Sequence, residues 1–350
     1  MKYTKDYWDD VELSISSIPE AQDLHGRSIL VTGATGMICS SVIDLLLYLN
    51  QQKNANIKIL VAGRNEKKAM DRFEGFSAED GLIFVPYDAT SGGLMDIQHE
   101  VDYVIHGASN ANPAIYMKEP VETILANIIG LESMLKLART KAAKRLLYVS
   151  SSEVYGKKEG NEPYSENDYG YLDILNQRAS YPSSKRTGES LCIAYGMEYN
   201  VDTVIVRPGH IYGPTIQDSD NRASAQFTRD AIIGTDIIMK SKGEQLRSYC
   251  YTLDCASAIL TVLLRGESGN AYNISNPDSI CTISDIAHAI AAAAGVKVLF
   301  DLPADEEKKS YNLMDNSSLT SEKLESLGWK PMYTLADGVG HMIKMLKTMG

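Results

Sequence analysis

The sequence lacks the features that mark membrane, secreted and metal-binding proteins. Apolar stretches such as residues 42–49 fall far short of the ~20 residues that cross a bilayer, and the first ten residues contain no apolar signal core. The five cysteines are scattered without metal-ligand spacing, and the six histidines form no ligand pair. These absences predict a cytoplasmic protein with reduced thiols and no metal site.

Positive charge is also scarce. The 34 lysines and arginines face 45 aspartates and glutamates, and the resulting net charge of −11 argues against a nucleic-acid partner, although a few local arginines suffice to hold a small anion. The apolar share of 44% and the charged share of 23% are typical of an ordinary globular protein. A chain of 350 residues holds one large α/β domain or two modest ones.

A glycine-rich turn follows the first apolar strand. Residues 28–31 are predicted to form a strand and residues 42–49 a helix, and the turn between them reads Thr-Gly-Ala-Thr-Gly-Met-Ile-Cys from residue 32. This order is typical of the first unit of a dinucleotide-binding fold, in which the pyrophosphate rests on the helix N-terminus. A plain β–α turn is the alternative. In the first interpretation Cys39 takes the third small position, and the predicted cofactor contacts are Gly33, Thr35, Gly36, Met37 and Ile38.

Further apolar segments extend this unit into a doubly wound parallel α/β sheet, the Rossmann fold. We expect its other strands at 57–62, 82–87, 101–106, 146–150 and 201–206. From about residue 215 the alternation loosens. The predicted organisation is therefore an N-terminal extension that packs on the domain (1–27), a dinucleotide-binding domain (28–214), and a smaller C-terminal substrate-binding lobe from which some segments return to the core (215–350).

The segment after the second strand bears on the choice of cofactor. An NAD-selective fold usually ends this strand with an acid that binds the ribose 2′-hydroxyl, but here the chain reads Gly-Arg-Asn-Glu from residue 63. Arg64 either pairs with a 2′-phosphate or lies across the adenine, so the cofactor is NAD or NADP, with NADP weakly favoured. Asp88, followed by Ala89, either accepts a hydrogen bond from the adenine or closes a turn. Ala108 is small enough for the cofactor to pass over.

A tyrosine and a lysine lie four residues apart at the start of a helix predicted over 181–199. Positions i and i+4 share a helical face, so the Lys185 ammonium is expected beneath the Tyr181 phenol. A nearby cation and a helix N-terminus both favour the phenolate, and we expect them to lower the tyrosine pKa from its ordinary value near ~10. The spacing alone is common, and an ordinary surface helix is the alternative. Other features of the chain make the pair a catalytic candidate.

Polar residues at other positions add to this candidate site. Ser151, Ser152 and Glu153 directly follow the predicted strand at 146–150, where open α/β sheets place their chemistry. Asn127 lies inside a helix predicted over 120–137 and is either a satisfied core amide or part of a proton relay. The polar and aromatic segment 164–177 is predicted to form an active-site loop.

In this order, these pieces resemble the extended short-chain dehydrogenase/reductase superfamily, specifically its nucleotide-sugar epimerase/dehydratase family. The resemblance covers nearly the whole chain from about residue 28. It rests on the glycine turn, residues 150–156, the Tyr181/Lys185 spacing, the turn at 207–214, Arg247 before Ser-Tyr, and Leu-Gly-Trp-Lys-Pro at 327–331. It implies an enzyme that keeps a nicotinamide cofactor bound and oxidises a nucleotide sugar at C4.

The same resemblance implies roles for single residues. Tyr181 would be the base for the C4 hydroxyl, Lys185 would lower its pKa and bind the nicotinamide ribose, and Ser151 would orient the hydroxyl. Asn127 would help to position the lysine. Arg247 would bind the substrate diphosphate, which suits a guanidinium fork. The other implied substrate contacts are Ser109, Ser152, Arg178 and His210, of which His210 stands where the family usually has asparagine.

Glu153 bears on the reaction type. Family 4-epimerases commonly carry a small neutral residue at this point, whereas a glutamate is able to remove the acidified C5 proton of a 4-keto sugar. Dehydratases of the dTDP-glucose kind place an aspartate just before it, where this chain has Ser152. The Ser-Glu pair resembles UDP-glucuronate decarboxylases and also GDP-mannose 4,6-dehydratases. Arg178 and Arg186, around the Tyr/Lys pair, are similar to the decarboxylase pattern.

Decarboxylase-like chemistry is therefore our leading expectation, because a β-keto acid loses carbon dioxide without an acid for a departing hydroxide. A 4,6-dehydratase comes second and a 4-epimerase third. Outside this chemistry, the alternatives are a free-turnover NADP-dependent carbonyl reductase, which Arg64 suits, and a non-catalytic dinucleotide sensor.

Two predicted helices also imply a partner. The helices around 115–138 and 181–199 carry apolar residues beyond one face. In the family that the chain resembles, these helices form a four-helix interface between two copies, so a homodimer is expected. The alternative is that the two helices only cover the sheet.

Overall fold

The computed structural model describes residues 3–349 apart from Leu94, Asp96, Asp218 and the segment 303–314. Its strands are β1 (Ser28–Thr32), β2 (Lys58–Gly63), β3 (Leu82–Pro86), β4 (Tyr103–His106), β5 (Arg145–Val149), β6 (Thr203–Pro208), β7 (His210–Tyr212), β8 (Ile237–Met239), β9 (Leu246–Tyr251), β10 (Ala271–Ile274), β11 (Ile280–Thr282), β12 (Val298–Phe300) and β13 (Asn316–Ser317). Its α-helices are α1 (Lys5–Ile15), α2 (Met37–Lys53), α3 (Glu66–Arg72), α4 (Pro113–Lys118), α5 (Pro120–Thr140), α6 (Ser180–Tyr199), α7 (Ala223–Ile232), α8 (Thr252–Arg265), α9 (Ile283–Ala294), α10 (Glu322–Glu325) and α11 (Leu335–Met349).

A seven-stranded sheet in the order β10-β6-β5-β4-β1-β2-β3 forms the centre of the fold. Every neighbouring pair in it is parallel. Along β1, Ile29 and Val31 belong to one hydrophobic cluster and Leu30 to another, because successive side chains point to opposite faces. The sheet is thus covered on both faces, and the predicted doubly wound parallel fold is confirmed. Strand order reverses between β1 and β4, which is where such folds form their ligand crevice.

The strand bounds differ from the predicted ones where apolar character and main-chain pairing disagree. The apolar segment 201–206 predicts the strand two residues too early, because the hydrogen-bonded ladder of β6 begins where Thr203 lies opposite Leu146. The segment Ala271–Ile274, which lies within the range 215–350, returns to the central sheet and forms its edge strand β10 beside β6.

A smaller sheet centres on β9, which pairs with β11 in antiparallel and with β7 and β13 in parallel orientation. His210 of β7 lies opposite Tyr249, and Ser317 of β13 lies opposite Arg247. Opposed residues share a face of the sheet, and so do two residues that are two apart on one strand. His210, Tyr249, Arg247 and Ser317 therefore lie on one face, which we call the platform.

Helix α1 packs against α2 through a buried polar group that we call the Asp44 cluster (Tyr3, Tyr7, Asp44 and Arg72). Asp44 accepts hydrogen bonds from the hydroxyls of Tyr7 at 2.5 Å and Tyr3 at 2.7 Å. The Arg72 guanidinium, from the last turn of α3, reaches both carboxylate oxygens at 3.3 and 2.5 Å. Each member of the cluster is therefore paired within it, and the cluster ties the N-terminal helix to the domain.

No helix within the described ranges is long and apolar enough to span a bilayer. The described residues also contain no group of three or more His, Cys, Asp or Glu side chains arranged to hold a metal ion.

Candidate active site

The glycine turn between β1 and α2 approaches the end of β4 closely. Gly33 has a φ of +67°, and a Cβ there would lie 2.6 Å from the carbonyl carbon of Gly107. A Cβ on Gly107 would in turn overlap the sulfur of Cys39. The side chains of residues 39 and 107 therefore compete for one small volume. Helix α2 begins after Gly36, which has no side chain to cap it. The first amide groups of α2 are thus available to an anionic group such as a pyrophosphate.

A cavity of about 300 Å³ opens beside this turn, at the carboxyl ends of the central strands. Its wall brings together many of the residues that the sequence predicts for the site, namely Gly33, Gly36, Met37, Ile38, Ser109, Ser151, Ser152, Glu153, Tyr181, Lys185 and His210. Among the described residues, the predicted ones outside this wall are Thr35, Arg64, Asp88, Ala89, Ala108, Asn127, Arg178 and Arg247. The predicted active-site loop 164–177 also contributes nothing to the described wall.

Lys185 lies almost fully buried in the first turns of α6, with 2% of its surface exposed. Its ammonium donates a hydrogen bond to the Val149 carbonyl at 2.8 Å and lies 4.7 Å from the ring centre of Tyr148. Burial lowers the pKa of Lys185 to about 7. This lysine can therefore gain or lose a proton near neutral pH in the ligand-free protein.

Tyr181 lies on the same helical face, with the Lys185 ammonium 5.8 Å from its ring centre. Its ring stacks on Tyr116 of α4, with centroids 5.2 Å apart and planes 9° apart. Burial and then the charge of Glu153 raise the pKa of Tyr181, against a hydrogen bond with Ser151. The expectation that Lys185 and the helix N-terminus lower this pKa is wrong for the ligand-free protein, because desolvation of the buried phenolate raises it.

Asn127 supports the Tyr/Lys pair from behind. Its amide donates to the Ser184 hydroxyl at 2.8 Å, and that hydroxyl donates to the Tyr181 carbonyl at 2.9 Å. Asn127 is fully buried, and its Oδ1 has no hydrogen-bond partner among the described residues. Asn127 therefore contacts the first turn of α6 next to Lys185, and the role in placing the lysine stays a prediction.

Glu153 lies between the tyrosine and two arginines. Its main-chain amide donates to the Ser151 hydroxyl at 3.2 Å, and this bond forms the start of the short helix Ser152–Tyr155. Burial raises the pKa of the Glu153 carboxyl, and the charges of Arg178 and Arg247 oppose this rise. Although these two arginines lie outside the cavity wall, they act on the carboxyl that lines it. Arg178 is held by a hydrogen bond of 3.4 Å to the Tyr116 hydroxyl.

His210 faces the cavity with an unpaired nitrogen. Its Nδ1 is buried and has no hydrogen-bond partner among the described residues. Burial, Arg247 and Arg222 together lower the pKa of His210 to about 3, so the imidazole is neutral at physiological pH. Arg222 itself is paired with Asp220 at 2.5 Å, and both residues line the cavity.

Several conspicuous residues of the sequence are occupied elsewhere. The Arg186 guanidinium donates to the carbonyls of Val154, Tyr155 and Gly170, and so fixes the chain on either side of the short helix. Asp88 accepts from the amide and hydroxyl of Thr90 at 2.9 and 2.8 Å, as a turn acid does. Arg64 is exposed after β2. Adenine binding by Asp88 and 2′-phosphate binding by Arg64 stay predictions.

Sequence reasoning missed several residues that lie at the site, among them Tyr116, Tyr148, Arg222 and Ser317. Tyr116 stacks on the ring of Tyr181, and the ring of Tyr148 lies beside the Lys185 ammonium. Arg222 and Ser317 line the cavity. No spacing signal marks any of them. Tyr148 lies in the predicted strand at 146–150 and Arg222 in a polar stretch after the turn at 207–214, so these two stand close to segments that the sequence singles out.

The chain matches the model of the "NAD dependent epimerase/dehydratase family" over residues 29–275. It is 28% identical over 314 residues to UDP-glucuronic acid decarboxylase 6 of Arabidopsis thaliana, which covers 89% of this chain and 86% of the relative. It is also 28% identical over 320 residues to UDP-glucuronic acid decarboxylase 1 of Xenopus tropicalis, which covers 91% of this chain and 71% of the relative.

Solved structures show the same fold. The UDP-N-acetylglucosamine 4-epimerase of Methanobrevibacter ruminantium superimposes with a TM-score of 0.78 at 20% identity, over 93% of this chain and 100% of that one. The dTDP-glucose 4,6-dehydratase of Bacillus anthracis in complex with NAD superimposes with a TM-score of 0.75 at 20% identity, over 92% and 97% of the two chains.

Proposed function

Because the chain belongs to the NAD-dependent epimerase/dehydratase family, we propose that it oxidises a nucleotide sugar at C4 and then decarboxylates it, in the manner of a UDP-glucuronate decarboxylase. The observation that carries the proposal is the position of Glu153 in the cavity wall, where its charge acts on Tyr181 and where Arg178 and Arg247 act on it. The UDP-glucuronic acid decarboxylases of plant and frog, similar over most of the chain, support it.

The first step is an oxidation for which a bound nicotinamide supplies the hydride acceptor, either NAD or NADP. The bare glycine turn and the uncapped start of α2 fit a dinucleotide pyrophosphate. Tyr181 accepts the proton of the C4 hydroxyl, while Ser151 orients that hydroxyl. Lys185, with a pKa of about 7 in the ligand-free protein, supplies a positive charge near the phenol when it is protonated. That charge stabilises the phenolate.

The second step breaks the C5–C6 bond of the 4-keto uronate. The electron pair of that bond moves into the 4-keto group, carbon dioxide leaves, and C5 then takes up a proton. Glu153, the pKa of which is raised by burial, is the proton donor in this proposal. A nicotinamide held at the glycine turn and the start of α2 would supply both the acceptor and the source of the C4 hydride, so the overall reaction would need no further oxidant.

A 4,6-dehydratase is the second candidate, and the same Glu153 favours it. As a carboxylate this side chain would remove the C5 proton, and the C6 hydroxyl would then leave. Ser152, which also lines the cavity, carries no carboxyl to protonate a departing hydroxide, and for this reason we rank the dehydratase below the decarboxylase. A 4-epimerase ranks third.

Incubation of the purified protein with UDP-glucuronate tests the proposal directly. We expect release of carbon dioxide and formation of a UDP-pentose, which mass spectrometry and proton NMR would detect. The reaction should not need stoichiometric addition of a nicotinamide cofactor. Formation of UDP-galacturonate alone would establish an epimerase instead. No reaction with UDP-glucuronate, together with dehydration of GDP-mannose or dTDP-glucose, would establish a dehydratase.

Cofactor retention separates this family chemistry from a carbonyl reductase that Arg64 would suit. After extensive dialysis, mass spectrometry of the denatured protein is expected to detect NAD or NADP. Steady consumption of NADPH with a small ketone would instead support the reductase.

We also propose a homodimer formed through α5 and α6. These helices pack along each other, and they leave apolar side chains exposed, among them Val121 at 60%, Leu125 at 43% and Met197 at 84%. Exposed apolar surface of this kind marks contact sites between proteins. Light scattering should give twice the chain mass for the wild type and the single chain mass for Met197→Glu.

A cytoplasmic location is likewise part of the proposal. It is supported by the five cysteines, all of which are free thiols, because thiols persist in reducing compartments. Fractionation of cells that express the protein would test it.

A further inference from the structure

The cavity is lined by two chemically different sets of side chains. Tyr181, Lys185 and Glu153 come from α6 and from the segment after β5, and the negative charge of Glu153 acts on the tyrosine. The second set comes from the platform of the smaller sheet and includes His210, on which the positive charges of Arg247 and Arg222 act. The cavity thus has a catalytic region and a region beside two arginines, in which Asp220 pairs with Arg222 and offsets part of the positive charge. An anionic group of a ligand is favoured beside the arginines.

Ser317 belongs to the second set, although the sequence singles it out by no motif. It lies on β13, opposite Arg247 of β9, and it lines the cavity with only 5% of its surface exposed. Its hydroxyl is buried and has no hydrogen-bond partner among the described residues. An unpaired buried hydroxyl costs about 1–3 kcal/mol, so a partner supplied by a ligand would recover that cost.

His210, which lies opposite Tyr249 on the same face of the platform, has the same property. Its Nδ1 is buried and unpaired, and it too lines the cavity. Two unpaired polar atoms therefore share a face with a buried arginine. Asp315 and Glu153 also act on Arg247 and balance part of its charge. An anion bound here would thus need neutral donors in addition to the guanidinium.

We propose that Ser317 is a substrate-binding residue, which donates a hydrogen bond to the diphosphate of the nucleotide sugar beside Arg247 and His210. The inference rests on the proposed function, because it takes the ligand to be a nucleotide diphosphate sugar. Strand β13 is then a wall of the substrate site, and the chain beyond the family match at residue 275 helps to set the affinity for substrate.

Ligand titration by calorimetry tests this proposal without relying on turnover. The cofactor-loaded wild type and Ser317→Ala are titrated with UDP and UDP-glucuronate, and with GDP, dTDP and their sugar conjugates. For the nucleotide that the wild type binds most tightly, Ser317→Ala should weaken the diphosphate and its sugar conjugate equally, by about five- to tenfold. Thermal unfolding of the variant should show no loss of stability, because the removed hydroxyl is unpaired.

Ser279→Ala is the matched control. Ser279 is also buried, at 1% exposure, and its hydroxyl is also unpaired among the described residues, but it does not line the cavity. This variant should bind every ligand as the wild type does.

Three results would overturn the inference alone: Ser317→Ala binds within twofold of the wild type, only the sugar conjugate is weakened, or the control is weakened to the same extent. A wild type that binds none of the nucleotides would overturn the proposed function, and the inference with it. The two failures are thus distinguishable.

Discussion

Among the buried polar groups that contain tyrosines in the described part of this molecule, the Asp44 cluster and the catalytic cavity differ in how completely they are paired. In the Asp44 cluster, the carboxylate of Asp44 is met by two phenols and by a guanidinium that reaches both of its oxygens. In the catalytic cavity, Ser109, His210 and Ser317 each leave a buried polar atom without a partner among the described residues.

The difference teaches that residue type does not separate these two groups, whereas hydrogen-bond satisfaction and charge balance do. Unpaired buried atoms also occur away from the cavity, as at Ser279, so an unpaired atom points to a site only where it lines a cavity. Buried polar groups in a scaffold are normally paired, and exceptions require an explanation such as a missing ligand. Lys185 illustrates the second criterion. It lies fully buried with a carbonyl as its close partner, and burial lowers its pKa to about 7.

Replacement of one tyrosine in each group, Tyr181 in the cavity and Tyr7 in the Asp44 cluster, tests this comparison with the largest expected effect. Tyr181→Phe should lower kcat by about 10²–10⁴-fold, because it removes the proton acceptor, while the unfolding temperature stays near that of the wild type. Tyr7→Phe is the matched control in the Asp44 cluster: it should keep kcat and lose stability. Steady-state kinetics and thermal unfolding of both variants measure this, and equal effects on kcat would refute the distinction.

Loss of the cation from the paired group should destabilise the fold. Arg72→Met leaves Asp44 buried and without its guanidinium, and we expect about 3–5 kcal/mol of lost unfolding free energy with kcat unchanged. Urea unfolding gives the value. Lys67→Met on the same helix removes an exposed ion pair with Asp71, and we expect no measurable change in the free energy of unfolding. If both variants lose equal stability, the Asp44 cluster is not the tie that the geometry indicates.

Replacement of Glu153 in the catalytic cavity should separate the two proposed chemical steps. Glu153→Gln removes the proton donor of the second step, so overall turnover is expected to fall by about 10²-fold. C4 oxidation should persist, and reduced nicotinamide should then accumulate on the protein, detectable by its near-ultraviolet absorbance. Unchanged product formation would exclude Glu153 from the second step.

Burial of the charged Lys185 side chain should lower the free energy of unfolding by an amount that depends on pH. Its pKa is about 7 in the folded protein and lies higher in the unfolded chain, so the unfolded chain binds more protons between these values. The penalty for burying Lys185 is therefore fully present below pH ~7 and is relieved as the pH rises above it. Lys185→Met should stabilise the cofactor-free protein by about 2 kcal/mol at low pH and by less in alkali. A gain independent of pH would contradict this account.

Much of the fold could be predicted from local patterns. Apolar strands, one glycine turn and helical spacing suffice for the doubly wound sheet, because a parallel sheet buries both faces and leaves a continuous apolar signal in each strand. The sequence analysis expects some segments of 215–350 to return to the core but does not identify Ala271–Ile274 as one of them, because its pairing with β6 depends on a return of the chain that no local pattern encodes.

The site could be predicted only in part, for a related reason. Tyr181, Lys185 and Glu153 stand in recognisable local segments, and the cavity brings them together. Arg186 stands in the same segment, yet it binds main-chain carbonyls. The rise in the Tyr181 pKa depends on burial, and the place of Ser317 depends on a strand pairing over a long chain distance. Neither is visible in spacing.

The contact between Cys39 and Gly107 has a consequence for how the sequence drifts over evolutionary time. Helix α2 and the end of β4 divide one methyl-sized space, and here the thiol occupies it. Homologous chains are expected to carry a side chain at either position 39 or position 107, but not a bulky side chain at both. The size of residue 39 and the size of residue 107 should therefore be inherited as a pair, with a loss of bulk at one permitting a gain at the other.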